Sequence, residues 1–133
     1  MAKIYRLRIE IIRNLVSIVQ NYELTEDYLI GRDRSCDIKL DHPAISRKHA
    51  TLVRMQSDEG EFYCITDGFR MQYSTQCIKV NGDRVLSRRL NSGDVITFVE
   101  SAKLDISIKA FYEIEGSKST DDEFKTVPYF RSG

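Results

Sequence analysis

Apolar residues in this chain recur every second position. Tyr5, Leu7, Ile9 and Ile11 alternate with Arg6, Arg8 and Glu10, and Leu104, Ile106, Ile108, Ala110, Tyr112 and Ile114 alternate with mostly polar neighbours. A strand places successive side chains on opposite faces, so this pattern specifies strands with one face on a core and one in water. Shorter β-like stretches cover Tyr28 to Ile30, Asp37 to Leu40, Ala50 to Met55, Phe62 to Thr66, Ile78 to Val80 and Asp94 to Val99. Turn-forming residues separate them, at 57–60, 81–83 and 91–94. Asn81-Gly82 is the strongest hairpin signal, because both residues tolerate the positive φ of a type I′ turn. About ten short strands so connected predict an all-β sandwich. One segment is ambiguous. Ile4, Leu7, Ile11, Leu15, Ile18 and Val19 also share one face of a helix, which would make an amphipathic membrane or partner face. The β-branched residues, and a turn at Arg13-Asn14, favour two strands.

With 133 residues, 41% apolar and 30% charged, the chain suits one globular domain with its own core. Twenty basic residues balance twenty acidic ones. That balance argues against general nucleic-acid or membrane binding, which draws on bulk positive charge. Cys36, Cys64 and Cys77 are odd in number and form no C-x-x-C, which suits reduced thiols in the cytoplasm. No apolar run is long enough to span a membrane, and Met1-Ala2-Lys3 does not begin a signal peptide. Residues 1–115 are expected to form the domain. Residues 116–133 are polar, contain Pro128 and show no lasting period, as expected of a mobile tail.

Three loop motifs carry chemistry. Ile30-Gly31-Arg32 ends a strand. Glycine there allows an unusual backbone angle or a close approach, and Arg32 presents a planar, permanently charged fork suited to phosphate. Ser46-Arg47-Lys48-His49 precedes the next strand and offers a hydroxyl, a guanidinium and an ammonium to an anion. His49 is read as a structural residue that holds this loop. The third motif runs from Ser74-Thr75-Gln76-Cys77 into Val80-Asn81-Gly82. No G-x-S-x-G, P-loop or H-E-x-x-H occurs, and His42, His49 and the cysteines lack zinc spacing. Neither an enzyme, a metal nor a cofactor is expected.

The order G-R, then S-x-x-H, then S-T-x-x-x-x-V-N-G, followed by Gly93-Asp94-Val95-Ile96, resembles the forkhead-associated (FHA) domain over about residues 4 to 114. The segment 67–73 before Ser74 is similar to small single-domain bacterial, cyanobacterial-type members. The resemblance implies an FHA-type β-sandwich of ten to eleven strands with binding loops at one end. It also implies a signalling module that holds a Ser/Thr-phosphorylated partner by its phosphothreonine. On that basis Arg32 and Ser46 would grip the phosphate. Arg47 would assist or read residues after the phosphothreonine, Thr75 would line the site, and Gly31, His49, Asn81 and Gly82 would shape the loops. The family pattern S-T-N-G-T is here Ser74-Thr75-Gln76-Cys77-Ile78. Gln76 keeps the amide that would hold the peptide backbone, on a longer stem, and Cys77 replaces glycine. That departure keeps a second reading open: a phosphate-independent scaffold or subunit of a larger complex. In the tail, Thr120 precedes Asp121-Asp122-Glu123. Phosphorylated there, the tail could be captured by a neighbouring copy, an inert solubilising tail being the simpler expectation.

Overall fold

The alternating segments at the two ends of the chain become its two longest strands. The computed structural model describes residues 3–70 and 72–116. In chain order the strands are β1 (Lys3–Arg13), β2 (Val16–Leu24), β3 (Tyr28–Gly31), β4 (Ile38–Lys39), β5 (Ala50–Ser57), β6 (Gly60–Asp67), β7 (Ile78–Val80), β8 (Asp83–Val85), β9 (Ser87–Arg89), β10 (Val95–Ser101) and β11 (Ile106–Gly116). β1 and β11 pair antiparallel along their whole length, from Lys3 opposite Gly116 to Arg13 opposite Ile106. Tyr5, Leu7 and Ile9 on β1, and Ile106, Ile108, Ala110 and Tyr112 on β11, are buried on one face. This is the alternation read from the sequence, except at Leu104, which lies in the turn before β11 and is exposed.

Two sheets form, in the orders β2-β1-β11-β10-β7-β8 and β4-β3-β5-β6-β9. Their inner faces close over a single core in which Tyr63 meets Tyr5 and Tyr112 edge to face, at centroid distances of 5.5 and 6.3 Å. This is the expected all-β sandwich, with eleven strands. The helical alternative for the N-terminal segment does not occur. The turn between β1 and β2, however, is Asn14-Leu15 and not Arg13-Asn14, since Arg13 still pairs with Val16. Both turn residues have positive φ, 52° and 64°. Asparagine adopts that region readily, and Leu15, 98% exposed, meets no steric barrier from neighbours.

The Asn81-Gly82 turn is as expected, with φ of 53° and 89° and Val80 paired to Asp83. The Asn81 side chain also donates from Nδ2 to Asp94 Oδ1 at 2.9 Å, and its Oδ1 accepts from Val95 N–H at 2.9 Å. Asn81 therefore ties the β7–β8 hairpin to the start of β10. Ile30 pairs with Ala50 and Ala50 with Asp67, so the end of β3, the start of β5 and the end of β6 share one end of the sandwich. The loops that follow or precede them converge there. The tail expected at 116–133 lies outside the described residues from residue 117 on, and Thr120 with it.

Candidate functional site

The loop after β3 and the loop before β5 are laced together by their backbones. Arg32 N–H donates to Ser46 O at 3.0 Å, Asp33 N–H to Arg47 O at 3.1 Å, and His49 N–H to Ile30 O at 2.8 Å. Gly31 is required by close approach. A Cβ at this position would lie 2.1 Å from the Arg47 carbonyl oxygen, a distance no side chain can tolerate. Gly31 has no positive φ, so of the two reasons for a glycine there, the unusual angle does not apply. The Arg47 carbonyl also accepts from the Cys36 thiol at 3.1 Å.

His49 holds this frame from below. It is fully buried, and its Nδ1 accepts the Ser46 N–H at 3.0 Å. Nδ1 therefore carries no proton, and Nε2, the protonated nitrogen, has no hydrogen-bond partner among the described residues. Burial pushes the imidazole pKa below its ordinary range, against weaker upward pulls from Asp67 and the backbones of Phe98 and Cys77. A neutral imidazole is the only form compatible with the Ser46 bond. The ring packs edge-on against Phe98 at 5.9 Å, and the His49 carbonyl accepts Gly68 N–H at 2.7 Å, which ties the frame to the segment after β6.

That segment supplies the facing wall. Buried Asp67 accepts Ser74 N–H at 2.8 Å, and Ser46 Oγ accepts Thr75 N–H at 2.9 Å. The Thr75 bond occupies an acceptor position of the Ser46 hydroxyl and leaves its hydrogen as a donor. Between the walls lies a cleft of about 340 Å³ lined by Asp33, Ser46, Arg47, Lys48, Tyr73 and Thr75, with Gln72 beside them. Arg32 adjoins it through its backbone bond to Ser46. Its Nε donates to Ile45 O at 2.9 Å, which orients the guanidinium and leaves its terminal nitrogens as donors. Lys48 and Arg70 sit over the Phe69 ring at 5.1 and 4.9 Å. One carboxylate opposes this positive rim. Asp33 accepts from Ser35 Oγ, and that bond, with lesser help from the Ser35 and Arg34 backbones and Lys48, holds its pKa below the ordinary range.

Ser46, Arg47 and Thr75 are thus brought together in one cleft, with Gly31 and His49 in the frame beside them, while Arg32 does not line the cleft and joins it by its backbone bond to Ser46. Gln76 lies outside this cleft. It lines a separate cleft with Cys77, Lys79 and Phe98. Cys77, at the position where the pattern has glycine, has φ of 63° and so carries the backbone angle without the residue that adopts it freely. Asn81 and Gly82 stand away from the cleft as hairpin residues. Tyr73, Gln72, Asp33 and the anchoring Asp67 were not singled out from the sequence. Nothing in the spacing of 67–73 marks which of its side chains turn to the cleft. Among the described residues no group of three or more His, Cys, Asp or Glu is placed to hold a metal ion, and no helix is long and apolar enough to cross a membrane.

Comparison with known proteins agrees with this architecture. The family model described as FHA domain matches residues 28–99. No curated protein sequence matches the chain. Among solved structures, the Slr1951 protein from Synechocystis sp. is 30% identical, with a TM-score of 0.62 over 80% of this chain and 98% of that one. The yeast Pml1 splicing factor, described with its integration into the RES complex, is 20% identical, with a TM-score of 0.63 over 83% of this chain and 80% of its own. A structure from work on phosphothreonine-dependent FHA domain interactions is 20% identical, with a TM-score of 0.55 over 81% of this chain and 95% of that one. The family model spans more than half of the sequence and includes all three loop motifs, and the chain belongs to the FHA domain family.

Proposed function

We propose that this domain is a non-enzymatic module that binds phosphothreonine in a Ser/Thr-phosphorylated protein partner. The observation that carries the reading is the Ser46 hydroxyl. The Thr75 N–H fixes it and leaves its hydrogen free to donate into a cleft that Arg47 and Lys48 line and that Arg32 adjoins through its backbone bond to Ser46. Hydrogen bonds from charged donors to a phosphate are short and strong, and arginine's fork matches phosphate oxygens. In this reading Arg32 and Ser46 grip the phosphate, Arg47 and Lys48 extend the positive rim along the peptide, and Thr75 lines the wall. Burial of the threonine methyl adds about 0.8 kcal/mol, roughly a fourfold preference over phosphoserine. Three free cysteines suit a reducing compartment, and we place the module in the cytoplasm, with residues 1–115 as its domain.

The second reading, a phosphate-independent scaffold or subunit, draws on one observation. Gln76 faces a different cleft from the one that Ser46 and Thr75 line, so the amide expected to hold the peptide backbone is displaced. The Pml1 relative, described within a complex, fits that reading. Titration of a phosphothreonine peptide library against unphosphorylated copies separates the two. Binding confined to phosphorylated members supports the reader. Equal binding of both sets, or of neither, overturns it.

A further inference from the structure

The sandwich has four edge strands, and three of them are blunted. β4 has two residues and carries Lys39. β8 has three, with Asp83 and Arg84, and β9 has three, with Arg88 and Arg89. Short length and charge are the usual defences of an open edge, which otherwise offers unpaired N–H and C=O groups to any extended chain. β2 is nine residues long, and from Val16 to Tyr22 it carries no charge, no proline and no glycine. Among the described residues nothing pairs with its outer side. Val16, Ile18 and Val19 on it are exposed, as is Leu15 at the turn. The turn fixes which backbone groups of β2 are free. Asn14-Leu15, with positive φ at both residues, is a type I′ turn that brings the Val16 N–H onto the Arg13 carbonyl. N–H groups alternate sides along a strand, so those of Val16, Ile18, Gln20 and Tyr22 face β1. Those of Ser17, Val19 and Asn21 face outward, each beside its own carbonyl. Side chains alternate too: Val16, Ile18, Gln20 and Tyr22 lie on the core face, opposite Arg13, Ile11, Ile9 and Leu7, and Ser17, Val19 and Asn21 lie on the outer face.

The uncharged stretch and the outward-facing amides have the same centre, Val19. We infer that β2 pairs antiparallel with β2 of a second copy of this chain about a two-fold axis through Val19, joining two six-stranded sheets into one. Val19 then lies opposite Val19 of the second copy, Ser17 opposite its Asn21, Ile18 opposite its Gln20, and Val16 opposite its Tyr22. Each pair shares a face, as alternation requires. The pairs at 17, 19 and 21 exchange about six main-chain hydrogen bonds. Valine on valine, valine on an aromatic ring and serine beside asparagine are favourable cross-strand neighbours. The whole uncharged stretch is matched to itself, and Glu23, the charge on the strand, falls opposite Leu15 in the turn of the second copy. An axis through Gln20 would instead draw Glu23 into the ladder and set Val19 against Asn21, and an axis through Ile18 would carry Tyr22 past the end of the opposing strand. An edge without charge gives a foreign chain nothing to be selected by, whereas it fits its own copy at every pair. A single pair of strands is a small interface, so the dissociation constant is expected on the order of 10 µM. Neither β2 nor the groove beside it shares a residue with the Ser46 cleft, so the pairing is independent of the phosphothreonine reading.

Sedimentation equilibrium and amide hydrogen exchange on the full chain test it, between about 1 µM and about 300 µM. The native mass is expected to rise from one copy towards two, and the Ser17, Val19 and Asn21 amides to exchange at least about tenfold more slowly at the higher concentration. Val19→Lys sets two like charges on the axis and should remain a single copy throughout. In the single copy that lysine stands opposite Glu10, so the fold tolerates it, and the β1 and β11 amides report that it does. Register is read by mild oxidation. Opposed residues in such a pair have Cα atoms about 5.5 Å apart, within disulfide reach, so Val19→Cys should link two copies and Asn21→Cys should not. A native chain that stays single overturns the proposal, as does a Val19→Lys variant that associates like the native chain. A dimer that Val19→Cys fails to link overturns the axis. Protection of the outward amides that is equal at all concentrations overturns the pairing, in favour of an edge covered by the chain itself.

Discussion

The two walls of the cleft are built differently. The wall from Gly31 to His49 is fastened by three backbone hydrogen bonds between neighbouring segments, by a glycine in contact with a carbonyl, and by a buried imidazole under Ser46. Every one of its signature residues is present in the sequence. The wall from Ser74 to Cys77 is fastened by two bonds, Ser74 N–H to Asp67 and Thr75 N–H to Ser46. It contains a buried Ser74 hydroxyl with no partner among the described residues and a cysteine at positive φ. A rigid wall fixes where a phosphate can sit. A loosely fastened one can change composition without dissolving the site, and this is where the sequence departs from the family pattern.

If the first wall is rigid, Gly31→Ala should have the largest effect. The Arg47 carbonyl would have to retreat and would lose bonds from Asp33 and Cys36, at a cost on the order of 3 kcal/mol. Urea unfolding measures it, and a loss below about 1 kcal/mol would mean that this wall yields. Arg32→Ala comes next. Loss of a charge-assisted bond is worth about 1.5–3 kcal/mol, so phosphopeptide affinity should fall about tenfold or more while the domain stays folded. Calorimetric titration checks this, and unchanged affinity would remove Arg32 from the site.

The His49 anchor gives a pH test. Its pKa is lowered in the folded state, so the unfolded chain takes up a proton that the folded chain refuses. Stability is full above the ordinary value of about 6.5 and falls as pH drops below it, by up to about 1.4 kcal/mol per unit, until the folded imidazole titrates. His42 is shifted in the same direction, by burial first and Arg13 second. Asp33 and Glu61, both lowered, stay ionised throughout this window. Unfolding midpoints at about pH 7.5 and about pH 5.5 should differ in His42→Gln nearly as much as in the native chain. If that variant loses the difference, His49 is not its source. The smallest effect belongs to the second wall. Cys77→Gly relieves the positive φ but adds freedom to the unfolded chain, for a net gain of about 0.5 kcal/mol. Combined with Gln76→Asn it should also tighten phosphopeptide binding, and weaker binding would mean that the native loop suits another ligand.

The fold was legible because period two and turn chemistry are local signals. The long strands and the Asn81-Gly82 hairpin follow from residues in place. β8 and β9 are short, charged and mostly exposed, so no alternation announced them. The β1–β2 turn fell one residue later than read, because an exposed leucine is an unexpected occupant of positive φ. At the site, Arg32, Ser46, Arg47 and Thr75 could be named from motif order. Asp67, Tyr73 and the placement of Gln76 could not, since each depends on the bonds that Ser74 makes to Asp67 and Thr75 to Ser46, which no short-range pattern encodes.

The most direct test of the central claim is a map of amide and guanidinium resonances during titration with one peptide in two forms, threonine and phosphothreonine. Phosphothreonine binding through the rigid wall predicts large shifts at the Arg32 side chain and at the Ser46, Arg47 and Thr75 amides with the phosphorylated form alone, and small shifts at Gln76. The same shifts from the unphosphorylated form, or shifts centred on the Gln76 cleft with Arg32 and Ser46 unmoved, would contradict it.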